Sequence, residues 1–178
     1  MGVRNPRGER RSSASPLTRK SPVAPIDEWR CVFFDTAPII YYVEHNPSYH
    51  STVETIFGRV IGGLLPAVSS PVTLAECLVG PLRRSAQCDQ DLFVEVLTSS
   101  TGLTLRTIDS RIGRSAAELR ARYNFALMDA LQLATALESG CDVFLTNDAR
   151  LRRVTELDVV TVDELFADMS AADESEKQ

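Results

Sequence analysis

A chain of 178 residues, 44% of them hydrophobic, can bury one core of ordinary size and is too short to call for a second domain. The net charge of -5 is unevenly spread, because residues 1–25 hold Arg4, Arg7, Arg10, Arg11, Arg19 and Lys20 against Glu9 alone, which leaves the remainder clearly acidic. An acidic body argues against the broad basic face of a simple nucleic-acid-binding module, but is compatible with a nuclease that offers phosphates to bound metal, or with a basic protein partner.

From Met1 to about Ile26 the chain is rich in Arg, Ser and Pro and nearly free of large apolar side chains, so it cannot offset its ordering entropy. Residues 1–28 are therefore expected to form a disordered tail. Residues 31–34, Cys-Val-Phe-Phe, read as a buried strand that stops at Asp35. Pro38 opens a helix through about Glu44, and Val53, Ile56, Phe57, Val60 and Ile61 recur at helical spacing until Gly62-Gly63. A short strand near residues 67–70 runs into Pro71, which starts a helix carrying Leu74, Glu76 and Leu78. A helix near residues 89–97 and a strand at 103–107 follow. Asp109 or Ser110 caps a helix with Ile112, Ala116 and Leu119, and the next helix, residues 127–139, turns Leu131, Ala134 and Leu137 inward before Gly140 closes it. Residues 143–146 read as a strand, 148–154 as a short helix, 159–161 as the last strand and 163–168 as the last helix, with 169–178 an acidic fray. This alternation predicts one α/β domain over residues 29–168, built on a parallel sheet covered on both faces.

Ligands of an open parallel sheet bind beyond the carboxyl ends of its strands. Asp35 falls there directly, and Asp148 follows residues 143–146 after one intervening Asn147. Capping a helix is the alternative use of each. Glu76 and Asp129 lie within a turn or so of helix starts, in the apolar runs Leu74-Ala75-Glu76-Cys77-Leu78-Val79 and Leu127-Met128-Asp129-Ala130-Leu131. A favourable helix dipole accounts for only part of the cost of a carboxylate in such company. Gathered together, four carboxylates repel, since a pair ~4 Å apart at an effective dielectric of ~20 costs on the order of 4 kcal/mol. A cation resolves the conflict, and hard oxygen donors without His or Cys select magnesium or manganese over zinc. Such a site suits phosphodiester hydrolysis by metal-activated water.

The segments Phe33-Phe34-Asp35-Thr36, Val72-Thr73-Leu74-Ala75-Glu76-Cys77-Leu78-Val79-Gly80, Met128-Asp129-Ala130-Leu131-Gln132-Leu133-Ala134-Thr135-Ala136-Leu137 and Leu145-Thr146-Asn147-Asp148 resemble, in this order, the motifs of the PIN domain. Within that family they are most similar to the VapC toxins of bacterial toxin–antitoxin pairs, over residues 32–166. The resemblance implies a three-layer α/β/α domain with a five-stranded parallel sheet, and an endoribonuclease that cleaves single-stranded or looped RNA with magnesium or manganese. It also implies a homodimer and a VapB-type antitoxin as protein partner. By the same resemblance Asp35, Glu76, Asp129 and Asp148 take the acidic metal-site positions, Thr146 is the hydroxyl residue beside them, and Thr36 follows the first Asp as is common in the family. The long N-terminal tail departs from the compact toxins, whose first motif lies near the start.

Other residues carry less chemistry. His45 and His50 form no H-E-x-x-H motif and read as surface residues. Arg83, Arg84, Arg150, Arg152 and Arg153 could meet RNA phosphate, or could serve helix ends and solvated faces. Tyr41, Tyr42 and Phe57 read as core or dimer contacts, and Asp109, Glu138 and Asp142 as acids near element ends that could extend the site. Cys31, Cys77, Cys88 and Cys141 are widely spaced with no C-x-x-C pair, which favours reduced thiols over zinc. No apolar stretch approaches the ~20 residues of a membrane span and no signal-peptide run is present, so a cytoplasmic location is expected.

Rival enzymes lack essential parts. A haloacid-dehalogenase-type phosphatase needs an Asp where Ala37 stands, the only lysines are Lys20 and Lys177 in the tails, and no G-x-G-x-x-G occurs. The remaining alternative is a PIN-like RNA-binding or antitoxin-binding module with little or no nuclease activity, which would gain nothing from four repelling carboxylates.

Overall fold

The computed structural model describes residues 24–175, so most of the expected tail and the last three residues lie outside it. Five strands, β1 (Val32–Phe34), β2 (Ala67–Ser69), β3 (Leu103–Leu105), β4 (Val143–Thr146) and β5 (Asp158–Thr161), form one sheet in the order β3-β2-β1-β4-β5. Every pairing is parallel. The connections are helical: α1 (Thr36–Val43) and α2 (His50–Ile61) after β1, α3 (Pro71–Arg84) and α4 (Gln87–Ser99) after β2, and α5 (Ser110–Tyr123) and α6 (Leu127–Glu138) after β3. A 3-10 turn at Ala149–Arg153 joins β4 to β5, and α7 (Val162–Ser175) ends the described chain.

Strand side chains alternate between two cores, as a pleated sheet requires. Val32, Phe34, Ala67, Val143, Leu145 and Val160 face the side covered by α1, α2, α4 and α7, where they meet Ile39, Ile56, Phe57, Phe93, Leu97 and Leu165. Phe33, Val68, Phe144 and Val159 face α5 and α6, where they meet Ile112, Ala116, Leu119, Ala130, Leu133 and Ala134. Stacked rings lie on each side, Phe34 on Phe57 at 4.5 Å and Phe33 on Phe144 at 5.0 Å between centroids. The domain is thus the three-layer α/β/α sandwich expected, with its central strands buried on both faces.

Several boundaries move from their expected places, each for a physical reason. Residues 24–28 are ordered onto the body, because Ile26 packs on the first core and Asp27 pairs with Arg59 at 2.6 Å. The first helix begins at Thr36 rather than Pro38, so Pro38 occupies its first turn, where its missing N–H costs nothing. The last helix runs past Asp168 to Ser175. In α6 the buried positions are Ala130, Gln132, Leu133, Ala134, Thr135 and Ala136, while Leu131 and Leu137 are only partly covered. Among the described residues no helix is long and apolar enough to cross a membrane.

All four cysteines are free thiols. Cys31 and Cys141 lie 3.1 Å apart, sulfur to sulfur, at the amino ends of β1 and β4. Asp142, one of the acids that could have extended the site, belongs to that same end, accepting hydrogen bonds from the backbone N–H groups of Arg30 and Cys31.

Candidate active site

From β1 the chain steps outward through β2 to β3, then returns to the other flank of β1 for β4. Helices leaving β1 and β4 therefore diverge, which opens a crevice at the carboxyl ends of these two strands. A cleft of about 520 Å³ occupies that position. Its wall carries Asp35 and Thr36 from the end of β1, Glu76 from α3, Asp129 and Gln132 from α6, and Thr146, Asp148 and Arg150 from the end of β4 and the turn beyond it. All five residues singled out from the sequence, Asp35, Glu76, Asp129, Asp148 and Thr146, line this one cleft.

Asp35 stands at the N-cap position of α1 yet makes no capping bond with its side chain. Its carboxylate is taken instead by two neighbours, Gln132 Nε2 donating to Oδ1 at 2.9 Å and Thr146 Oγ1 donating to Oδ2 at 2.6 Å. Its backbone N–H bonds to the carbonyl of Leu145, which pins the end of β1 to β4. Burial pushes the Asp35 carboxyl up to about 6 against the pull of the Thr146 hydroxyl and the Thr36 backbone N–H, and the nearby charges of Glu76 and Asp129 push the same way.

Asp129 is half-buried in the first turn of α6, and its carboxyl is raised by burial first and then by the charge of Asp148, with Arg150 opposing. Asp148 goes the other way. The Arg150 guanidinium, with its side chain 81% exposed, clamps it by Nε to Oδ1 at 2.9 Å and Nη2 to Oδ2 at 2.5 Å, which holds its carboxyl below the ordinary range. Asp148 also accepts from the Arg150 backbone N–H at 2.9 Å, so its use as a cap coexists with its place in the cleft. Glu76 lies early in the second turn of α3, within the turn or so of the helix start expected for it. It is exposed toward the cleft and accepts the Thr36 hydroxyl proton. Among the apolar neighbours of Glu76 and Asp129, Ala75, Leu127 and Met128 are exposed, while Cys77 and Ala130 are buried.

Of the other residues weighed, Arg150 and Tyr41 line the cleft and the rest fall elsewhere. Asp109 caps α5, and Glu138 pairs with Arg111. Arg84 joins Glu44 and Asp89, Arg152 joins Glu164, and Arg153 lies over the Phe125 ring at 4.9 Å. Tyr42 stacks on Phe57, whereas Tyr41 stacks on Tyr49, lines the cleft and accepts from Asn147 Nδ2 at 3.1 Å. His45 and His50 contact one another, Nδ1 to Nε2 at 3.1 Å, away from the cleft. Sequence reasoning passed over Gln132, which is 3% exposed and touches Asp35 directly. Its signal was available, because a Gln at i+3 from Asp129 sits among the apolar Ala130, Leu133 and Ala134, with Thr135 the other buried polar residue of the helix.

Among the described residues no group of three or more His, Cys, Asp or Glu side chains stands gathered as a ready metal-holding set. Three of the four acids already have side-chain partners, Asp35 in Gln132 and Thr146, Asp148 in Arg150 and Glu76 in Thr36. The donor chemistry nonetheless fits a hard cation. Every candidate donor is a carboxylate or hydroxyl oxygen, and the Asp35 and Asp129 carboxyls, raised by burial first and by neighbouring carboxylates after it, are charges that a cation would stabilise.

The sequence profile of the PIN domain matches residues 32–157. Among solved structures, the chain is similar to DNA-bound VapBC from Salmonella typhimurium, with 17% identity and a TM-score of 0.60 over 75% of this chain and 98% of that one. It is similar to VapBC2 of Rickettsia felis bound to a DNA fragment from its promoter, with 17% identity and a TM-score of 0.58 over 74% and 98%. It is similar also to the sarcin–ricin-loop-cleaving toxin VapC20 of Mycobacterium tuberculosis, with 16% identity and a TM-score of 0.57 over 71% and 98%. A comparison with curated protein sequences gave no match. At these identities the structural likeness speaks for the fold, while the profile spans the strands and helices that carry all four acids. The chain belongs to the PIN domain family.

Proposed function

We propose that this chain is an endoribonuclease that hydrolyses RNA phosphodiester bonds with magnesium or manganese, and that it is the toxin of a VapBC-like pair. The observation that carries the reading is the meeting of Asp35, Glu76, Asp129, Asp148 and Thr146 in one cleft at the point where the strand order reverses. Asp35, Glu76, Asp129 and Asp148 would hold the cation. When bound, it would supply charge neutralisation for the phosphate oxygens and acidify water for attack.

The chain's own residues supply position and sign. Asp35 is oriented by donors on both of its oxygens, so it faces the cleft without rotational freedom. Thr146 Oγ1 also accepts the Asp148 N–H at 3.0 Å, which couples two acids through one hydroxyl. Arg150 is free to swing toward a substrate phosphate once a cation takes over Asp148. Exposed Met128 at the start of α6 gives the cleft an apolar edge against which an unpaired base can lie.

An antitoxin partner is supported by the company this fold keeps, since the VapBC matches above are complexes with antitoxins, and a toxin–antitoxin complex from Klebsiella pneumoniae is a further match at 21% identity and a TM-score of 0.56. Exposed apolar residues, among them Val79 and Leu82 on α3 and Leu92 on α4, offer surface for it or for a second copy of the chain.

The test is cleavage of a structured RNA by the purified protein with manganese, beside Asp35→Asn and Asp129→Asn. Both variants are expected to fold and to lose cleavage by at least about a hundredfold, as removal of a central electrostatic group does. Wild-type rates from either would remove these acids from the chemistry. A protein that binds RNA or antitoxin without cleaving would instead be the non-catalytic module.

A further inference from the structure

We propose that Gln132 is a positioning residue that locks the Asp35 carboxylate in one orientation by relaying the hydrogen-bond order of the α3 N-terminus to the end of β1. Its consequence for catalysis rests on the nuclease reading above, but its geometry does not.

A glutamine amide 3% exposed on the sheet-facing side of α6 is costly unless both of its ends are bonded. Here its ends cannot be exchanged. Ser70 Oγ is the N-cap acceptor of α3, taking the N–H groups of Val72 at 3.2 Å and Thr73 at 3.4 Å. Its single proton is left to donate to Gln132 Oε1 at 2.8 Å. Thr73 Oγ1 donates to the same oxygen at 2.9 Å. Two hydroxyl donors thus mark that end as the carbonyl, so Nε2 must face the other way, toward Asp35 Oδ1 at 2.9 Å.

The second Asp35 oxygen is fixed by the same logic. Thr146 Oγ1 accepts from the Asp148 N–H, so its proton goes to Oδ2. Each carboxylate oxygen therefore has one directed donor and keeps its remaining lone pairs for the cleft. The chain of bonds from Ser70 and Thr73 through Gln132, Asp35 and Thr146 to Asp148 ties α3, α6, β1 and β4 together across the base of the site. A leucine of similar volume would fill the same space without a buried amide, so packing alone gives no reason for glutamine.

The experiment uses the full chain labelled with nitrogen-15, in EDTA and then in a manganese titration. In EDTA the Gln132 side-chain amide should give a protected proton pair with one member shifted downfield by the carboxylate, and Asp35→Asn should move that signal. Thr73→Val, which removes the hydroxyl without contact to Asp35 and keeps the backbone N–H of residue 73 that bonds to Ser70, should move it as well, and Thr73→Ser should restore it. With manganese, Gln132→Leu should need roughly tenfold more metal for the same rise in Tm, the loss expected for one hydrogen bond to a charged group. Its kcat should fall at unchanged KM for RNA, with Thr73→Val intermediate and Thr73→Ser close to wild type.

An amide signal indifferent to Asp35→Asn, or a folded Gln132→Leu with the wild-type manganese response and kcat, overturns the proposal. If Gln132→Leu does not fold, the Thr73→Val and Thr73→Ser pair decides in the same way. A wild-type protein that neither responds to manganese nor cleaves RNA overturns the nuclease reading alone, because the amide response to Asp35→Asn still reports the lock.

Discussion

Asp35 carries opposing demands. It is held by two donors, which favour its charge, and buried beside Glu76 and Asp129, which disfavour it, and burial wins to push its carboxyl up to about 6. The folded protein therefore holds this proton more tightly than the unfolded chain, whose value is the ordinary 3.8. The stability attached to the protonated form is complete below about pH 4 and is lost as pH rises through about 6. We expect Asp35→Asn to melt at the wild-type temperature near pH 4 in EDTA, and to melt several degrees higher above pH 6, with up to about 3 kcal/mol at stake. Thermal melts of the two proteins across that window check it, and a constant difference would contradict the assignment.

Arg150 is the other residue with a measurable double role. As the internal cation on Asp148 it competes with metal, and as an exposed guanidinium at the mouth of the cleft it can meet phosphate. Arg150→Gln is expected to lower the manganese concentration needed for half-maximal stabilisation several-fold while raising KM for RNA several-fold. Opposite movement of these two quantities is the signature, and a change in only one would remove one of the roles.

At the scale of elements, the turn before β3 shows how closely the outer layer is seated. Gly102 has φ +83°, and a Cβ there would lie 2.2 Å from the backbone oxygen of Val60 near the end of α2. Gly102→Ala must therefore displace backbone as well as adopt a left-handed conformation, and is expected to cost about 3 kcal/mol or more, lowering Tm by roughly 10 °C. Leu133→Ala on α6, at a fully buried position, should cost about 2–5 kcal/mol by leaving a cavity under the helix that carries Asp129 and Gln132. Circular dichroism melts measure both. Element identity was readable because strands and helices each announce themselves by period, but the inward face of α6 was not. Leu131 and Leu137, expected inward, are only partly covered, whereas Ala130, Leu133 and the expected Ala134 are buried in the core that holds Phe33 and Phe144.

For the whole molecule, the proposed function predicts a linkage between metal and fold. Manganese at about a hundred times its Kd should add about 2.7 kcal/mol to wild-type stability. That corresponds to a rise of roughly 5–10 °C for a domain of this size, absent in Asp35→Asn. Equal melting in EDTA and manganese would leave the carboxylates without a cation to hold. By the same proposal a small antitoxin should be encoded beside this chain and should co-purify with it, protecting RNA from cleavage when present.

The sequence by itself determined the alternating architecture and the placing of Asp35 and Asp148 beyond strand ends, because strand ends and helix starts are local events written in apolar runs, glycines, prolines and caps, whereas Thr146 and most of the case for Glu76 and Asp129 came from the likeness to the PIN motifs. It could not decide which of several acids near element ends would share a site, since that depends on strand order. Asp142 and Asp148 lie six positions apart in the chain, at opposite ends of β4, and only the latter reaches the cleft. Nor could it reveal that Gln132 reaches from α6 to Asp35, or that Arg150 already occupies Asp148. Those contacts join residues through the order β3-β2-β1-β4-β5, and that order is set by which buried faces pair best, a property of the assembled sheet rather than of any segment within it.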